Sequence, residues 1–311
     1  MRQYLIPGSI EEAIHLLETH RGQARLIAGG TDVLPDIRQG KRNPRCLVDI
    51  TRIPELKQIE VTDKFVKVGA AVTFAEIKDS PFLNQHMHAL ADAARSVGAI
   101  GIQTAATWVG NIVQAMPAAD GAIVALALEA EARIIDSHNT EWRPVETLFL
   151  GPGASTIDPT RQLVTHIRFP STSTSTSTLT STSWQRIGRR SSLVLPILNC
   201  AVKLSIIPDG TRIERATIAL GPVAPRPFRA RQAEAFLQEQ APVEEVFAQA
   251  ARIAQKESQP RSSLMRASRE YRLAIIPAMV NDALSVAAER ASTLASTSTS
   301  TSASTSTKEK T

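Results

Sequence analysis

"RLIAGGTD", residues 25–32, is an apolar strand pattern that runs into two glycines and then Thr31 and Asp32. Paired glycines at a strand end let backbone amides approach a ligand closely, most often an anion. The stretch is not a P-loop, which needs a lysine and a Ser or Thr after its last glycine, nor a G-x-G-x-x-G opening a helix. Pro35 argues against a helix starting at Thr31. A second stretch, "TWVGNIVQAMPAAD" at 107–120, supplies a hydroxyl, a glycine, Asn111 and Asp120. The two small-residue loops are suited to face each other across a dinucleotide. Backbone amides would hold its pyrophosphate, Thr31, Thr107 and Asn111 would donate to phosphate or ribose oxygens, and Asp120 would accept from a hydroxyl or ring N–H. Asp120 has a second, compatible reading as the N-cap of a helix over "GAIVALAL".

Around these loops the periodicity marks out an ordered chain. Residues 1–52 read as a small α/β unit: a helix after Ser9, with Glu12 three residues on, then strands at "ARLIAGG" and "CLVDI". Residues 53–170 hold strands at "IEV", "FVKVGAAV" and "QLVTHIRFP", a capping pair Thr73/Glu76, a helix from about Leu83 to Val97, and a buried helix turning into a strand at "GAIVALALEAEARIID". Residues 171–183, "STSTSTSTLTSTS", have little to bury and are expected to form a loop. Residues 184–290 show strands "AVKLSII" and "RATIALG" paired across "PDGT", then helices near 231–238, 243–257 and 266–290. Residues 291–311 repeat the Ser/Thr composition and read as a disordered tail.

Bulk properties narrow the function. The 311 residues are 43% hydrophobic and 21% charged, ordinary for a folded protein, and long enough for more than one domain. The net charge of +5 is spread over separate arginine clusters without interleaved aromatics, and aromatics total 4%, which argues against nucleic-acid binding. The two cysteines, Cys46 and Cys200, suit a reducing compartment and are too few to hold an iron–sulfur cluster. With no signal-peptide pattern and no apolar run near about 18 residues, a cytoplasmic location without a membrane span is expected. No G-x-S-x-G elbow occurs, and the six histidines lack partners at ligand spacing, so neither a catalytic nucleophile nor a metal site is expected in this chain.

The stretches "AGGTD" (28–32), "VGAAVTFAEI" (68–77), "ATWVGNIVQAMPAAD" (106–120), "ALEAEARI" (127–134) and "EYRLAIIPAMVNDAL" (270–284) occur in an order and spacing that resembles the FAD-binding medium subunits of the molybdenum hydroxylases. That family includes xanthine dehydrogenase, aerobic carbon monoxide dehydrogenase and aldehyde oxidoreductases. The resemblance implies an α+β fold: the two-part FAD-binding domain of vanillyl-alcohol-oxidase type, then a smaller α+β C-terminal domain. It implies that Leu26, Ile27, Ala28, Gly29, Gly30, Thr31, Asp32 and Val33 wrap the FAD pyrophosphate. Thr107, Gly110 and Asn111 would form the second loop and Asp120 would bind nearby. Val164 would sit by the flavin or its ribityl chain, and Arg186, where the family usually carries a lysine, would close the site.

The same resemblance implies an oxidoreductase subunit without catalytic residues of its own. It would take electrons from a small [2Fe-2S] subunit, fed by a large molybdopterin-binding subunit, and pass them to NAD, a quinone or O2. Two alternatives stand beside it: a self-contained FAD-dependent oxidoreductase of the same fold, and a flavin-free assembly scaffold. The sequence departs from the family at one place. The usual Thr-Ile-Gly-Gly-Asn reads Thr107-Trp108-Val109-Gly110-Asn111, and the arginines usual upstream are replaced by "QTAA" at 103–106. A β-branched residue does not take φ > 0 comfortably, so either residue 109 has an ordinary backbone here or FAD binds differently.

Overall fold

A computed structural model describes residues 3–171, 178–190 and 194–305. The chain opens with β1 (Gln3–Leu5), α1 (Ile10–Thr19), β2 (Ala24–Ile27), α2 (Val33–Arg38) and β3 (Cys46–Asp49). The strands form a parallel sheet of order β1-β3-β2. Helix α1 starts where the Ser9 hydroxyl accepts from the Glu12 amide, and it buries Ile10, Ala13, Ile14 and Leu17 at helical spacing. Helix α2 begins two residues beyond Thr31. Pro35 is accommodated in its first turn, where a missing N–H leaves no helical bond unmade.

Next come β4 (Ile59–Val61), β5 (Phe65–Gly69), α3 (Phe74–Asp79), α4 (Pro81–His86), α5 (His88–Ser96), α6 (Ile100–Gln103), α7 (Trp108–Val113) and α8 (Asp120–Ala127). They are followed by β6 (Glu131–Ile135), β7 (Thr140–Pro144), β8 (Phe149–Gly151), β9 (Ala154–Ser155) and β10 (Leu163–Pro170). A five-stranded antiparallel sheet runs β4-β5-β10-β6-β7. The helix expected over 83–97 is two helices. Met87 leaves helical geometry (φ −129°, ψ 54°) and packs fully buried, so His86 and His88 end on different helices. The Thr73/Glu76 capping box is complete: Glu76 N–H donates to the Thr73 hydroxyl, and Thr73 N–H donates to the Glu76 carboxylate at 2.7 Å. Thr73→Ala should therefore lower stability by about 1 kcal/mol, read in a denaturant titration.

The last part holds β11 (Leu179–Ile187), β12 (Leu198–Ile206), β13 (Ile213–Gly221), β14 (Phe228–Arg229), α9 (Arg231–Leu237), α10 (Glu244–Glu257) and α11 (Arg269–Thr305). The antiparallel sheet β11-β12-β13-β14 packs on α9, α10 and α11 around its own core, with Val202, Leu204, Ile218, Phe247 and Leu284 buried.

Two expectations are corrected here. Within the stretch read as a loop over 171–183, residues 179–183 belong to β11, while 172–177 lie outside the described residues. Threonine fits a pleated surface, and each hydroxyl finds a partner. Ser181 donates to Ala287 O and Ser183 to Ala283 O on α11, Thr182 accepts from the Ala89 amide at the start of α5, and Thr180 bonds Ser205. The tail expected from 291 is also corrected, since α11 continues to Thr305, each added residue extending an existing helix; residues 306–311 lie outside the described residues.

The first and last parts meet along α8. Trp108, fully buried, donates its indole N–H to Gly121 O at 2.9 Å and fixes α7 on α8. Across the boundary Thr217 donates to Ala127 O, and Glu129 pairs with Lys203, Arg215 and Arg229. The close approach of β13 to the loop leading into α8 also needs Gly221, where a methyl would stand 2.5 Å from Pro117 O. No helix among the described residues is long and apolar enough to cross a membrane.

Candidate functional site

The glycine loop after β2 and the loop leading into α7 lie against each other. A methyl on Gly29 would stand 2.0 Å from Ala105 O, so the two backbones touch where only glycine fits. Gly30, at φ +69°, then turns the chain toward α2. Among the described residues, the amides of Gly29, Gly30, Thr31 and Asp32 donate to no acceptor in the chain. Consecutive free N–H groups at a turn form a concavity suited to an anion.

These amides border a cleft of about 670 Å³ between the three-stranded sheet, the α6–α8 region and the start of the C-terminal part. Of the residues expected at the site, Leu26, Ala28, Gly29, Gly30, Thr31, Asp32, Val33, Thr107, Gly110, Asn111, Asp120, Val164 and Arg186 line it. Ile27 does not: it is buried at the end of β2, away from the cleft.

Several of these groups already have work within the fold. Thr107 is the N-cap of α7, its hydroxyl accepting from the Gly110 amide at 3.1 Å. Asn111 accepts from the Gly121 amide through Oδ1 at 2.9 Å and keeps its NH₂ for the cleft. Asp120 is therefore not the N-cap of α8; it is the helix's first residue, and Asn111 supplies the cap from outside. The Asp120 carboxylate instead reaches the C-terminal part. Asn199 Nδ2 donates to its Oδ1 at 2.5 Å, and Arg186 Nε stands 3.4 Å from its Oδ2, an ion-pair distance without hydrogen-bond alignment. Arg186 also donates to Val194 O, which places Val194 and Leu195 on the rim.

Residue 109 is in the first turn of α7 with helical backbone and its side chain is buried, so the β-branched residue carries no strain. The paired glycine of the family pattern is not needed for this geometry.

Electrostatically the cleft is mixed. Burial pushes the Asp120 carboxyl up to about 6, against the pull of Arg186 and Asn199. Burial, reinforced by the charge on Asp36, also raises Asp32. Arg25 and Arg42 line the same cleft, and burial followed by repulsion from Arg42 lowers Arg25 to about 10. Sequence reasoning missed both arginines, and it missed Asn199. Arg25 opens the very stretch that drew attention, but an arginine leading a strand carries no sign of which way it points. Arg42 comes into place only because Asp36 on α2 holds its Nε at 2.8 Å.

The donor set fits a dinucleotide: free amides and two arginines for a pyrophosphate, an amide and two carboxylates for hydroxyls, and an apolar wall from Ile50, Val109, Leu163 and Val164. The comparisons agree with this geometry. Residues 1–172 match the FAD binding domain in molybdopterin dehydrogenase, and residues 184–287 match the CO dehydrogenase flavoprotein C-terminal domain. The chain belongs to this family, as an FAD-binding medium subunit of the molybdenum hydroxylases, and is an oxidoreductase subunit.

It is 29% identical over 286 residues to the xanthine dehydrogenase FAD-binding subunit of Escherichia coli O157:H7, covering 91% of this chain and 95% of that one. It is 27% identical over 292 residues to the carbon monoxide dehydrogenase medium chain of Hydrogenophaga pseudoflava, covering 93% and 98%. Among solved structures it superposes on carbon monoxide dehydrogenase from the same organism with a TM-score of 0.85, 28% identity, and coverage of 93% of this chain and 98% of that chain. Quinoline 2-oxidoreductase from Pseudomonas putida 86 gives 0.83 at 26% identity, covering 94% and 98%.

Proposed function

We propose that this subunit carries electrons between a [2Fe-2S] subunit and an external acceptor, within a complex whose large subunit binds molybdopterin. FAD, when bound, supplies the ability to accept electrons singly and release them in pairs. The chain's own residues hold and shield it. In this reading the amides of residues 29–32 and the charges of Arg25 and Arg42 receive the pyrophosphate. Thr31, Thr107 and Asn111 bind the neighbouring oxygens, Asp120 accepts from a hydroxyl or ring N–H, and Val164 lies along the ribityl or flavin. Arg186 closes the site from the C-terminal part. NAD, a quinone or O2 is the acceptor class.

The observation that carries this reading is the row of free amides at 29–32 facing the cleft. A subunit role is favoured over a self-contained oxidase because the C-terminal part matches a flavoprotein domain of a multi-subunit dehydrogenase. Both cysteines are free and buried, in keeping with a cytoplasmic complex.

The test is flavin release by heat from the purified chain, alone and in its native complex. About one FAD per chain is expected, together with co-purified iron–sulfur and molybdopterin subunits. A chain that stays flavin-free after FAD is added, in both settings, would leave the scaffold reading. The double substitution Arg25→Ala/Arg42→Ala should weaken FAD binding by about tenfold or more, with the loss shrinking at high salt, as measured by quenching of flavin fluorescence. Unchanged affinity would remove both arginines from the site.

A further inference from the structure

The tip of the segment between α10 and α11, residues 261–266, belongs to neither the cleft nor the core. Its tip is built by its own hydrogen bonds: Ser263 N–H donates to Ala267 O at 2.9 Å, Arg266 N–H to Ser263 O, and Arg269 N–H to the Ser262 hydroxyl. This holds Leu264 and Met265 outward, Leu264 fully exposed and Met265 82% exposed. Two large apolar side chains displayed side by side on an ordered turn mark a contact surface.

The charges around the tip are equally unfinished. Arg261, Arg266 and Arg272 lie close enough to repel one another: burial, then these neighbouring guanidinium charges, lower both Arg266 and Arg272. No ion pair reaches any of the three among the described residues. Arg272 is buried, donates Nη1 to Pro222 O, and leaves Nε without a partner. Glu270 is held low by the backbone at the helix start, by Ser268 and, least, by the charge of Arg269. The cluster also sits at the first turn of α11, the end of a helix that disfavours cations. A guanidinium cluster without a counter-charge is costly, and an external carboxylate beside the exposed Arg261 and half-buried Arg266 would relieve the repulsion they exert on each other and on Arg272.

We infer that the 261–272 segment is a docking surface for a partner subunit that presents an apolar hollow rimmed by carboxylates, Leu264 and Met265 filling the hollow and Arg261 and Arg266 pairing with its rim. Charge complementarity selects an acidic polypeptide. The inference rests on the multi-subunit reading proposed above, and arginine beside exposed apolar side chains is the composition that dominates protein interfaces.

The experiment uses the full chain in its native complex. Arg261→Glu/Arg266→Glu and Leu264→Ser/Met265→Ser are compared with wild type by affinity purification, native mass spectrometry and hydrogen exchange over 261–272. FAD content and circular dichroism serve as controls on folding, since the substituted side chains lie outside both hydrophobic cores. The expected result is normal FAD content, a loss of at least about tenfold in affinity for an identified iron–sulfur or molybdopterin subunit, and exchange protection of the segment only in the wild-type complex. Both variants assembling with wild-type affinity would overturn this surface while leaving the complex intact. A wild-type chain that assembles with neither subunit would overturn the complex itself and this surface with it. Protection of the segment by inorganic phosphate, with normal assembly of both variants, would make it a small-anion site and also overturn the inference.

Discussion

Gly29→Ala should yield a chain that folds less stably, by about 3 kcal/mol, and that purifies without bound FAD. The reason is space and not backbone conformation. Gly29 has no positive φ, but a methyl there would lie 2.0 Å from Ala105 O and 2.6 Å from the carbonyl carbon. These are backbone atoms and cannot rotate away. The opposing loop is itself pinned, Ala106 N–H donating to Ile102 O at 2.7 Å and Phe74 N–H to Ala106 O at 3.0 Å. The two loops must therefore part, and the row of free amides moves off the cleft wall. Gly30→Ala is the informative contrast. Its methyl would meet only the flexible side chains of Leu34 and Ile27 beyond 3 Å, but φ is +69°, so the cost is backbone strain of about 1 kcal/mol. Thermal unfolding with flavin quantitation separates the two. Wild-type FAD content in Gly29→Ala would disprove the contact between the loops.

Asp120→Asn should change how stability depends on pH. In the flavin-free chain, burial raises the Asp120 carboxyl from 3.8 to about 6. Between these values the folded chain holds a proton that the unfolded chain has released, so the stability contributed by this group falls as pH rises. It is fully present below about pH 4 and lost above about pH 6, a change of about 3 kcal/mol for a shift of about two units. Asparagine does not titrate. The difference in unfolding free energy between variant and wild type should therefore move toward the variant by up to about 3 kcal/mol from pH 4 to pH 7. Other carboxylates, such as Glu129 and Asp136, whose values are lowered, contribute the opposite slope, but they cancel in this difference. Denaturant titrations across that range test it, and a difference independent of pH would mean that Asp120 keeps its ordinary carboxyl value in the folded chain, with Arg186 and Asn199 fully offsetting its burial.

What the sequence determined by itself was local chemistry and order. The apolar spacing of α1, the Thr73 capping box, the PDGT turn between β12 and β13, and the two small-residue loops all arise from interactions within a few residues. Those interactions are written in adjacent letters, so the two loops and the family pattern could be read from them, and every expected residue but Ile27 lines the cleft. What only the tertiary structure decided were matters of long-range placement. Val109 is helical because Thr107 caps α7 just before it, and Trp108 anchors that helix to Gly121. Ile27 is buried out of the cleft although Arg25 and Leu26, just before it on β2, line it.

The Ser/Thr run shows the reason most clearly. Its composition offers no apolar surface, and as an isolated segment it cannot offset its chain entropy. Next to β12, and under Ala283 and Ala287 of α11, the hydroxyls of 180–183 meet backbone and side-chain partners far away in sequence, and residues 179–183 join a strand. Asp120 follows the same rule. Its role depends on Arg186 and Asn199, which only the packing of the C-terminal part brings to it.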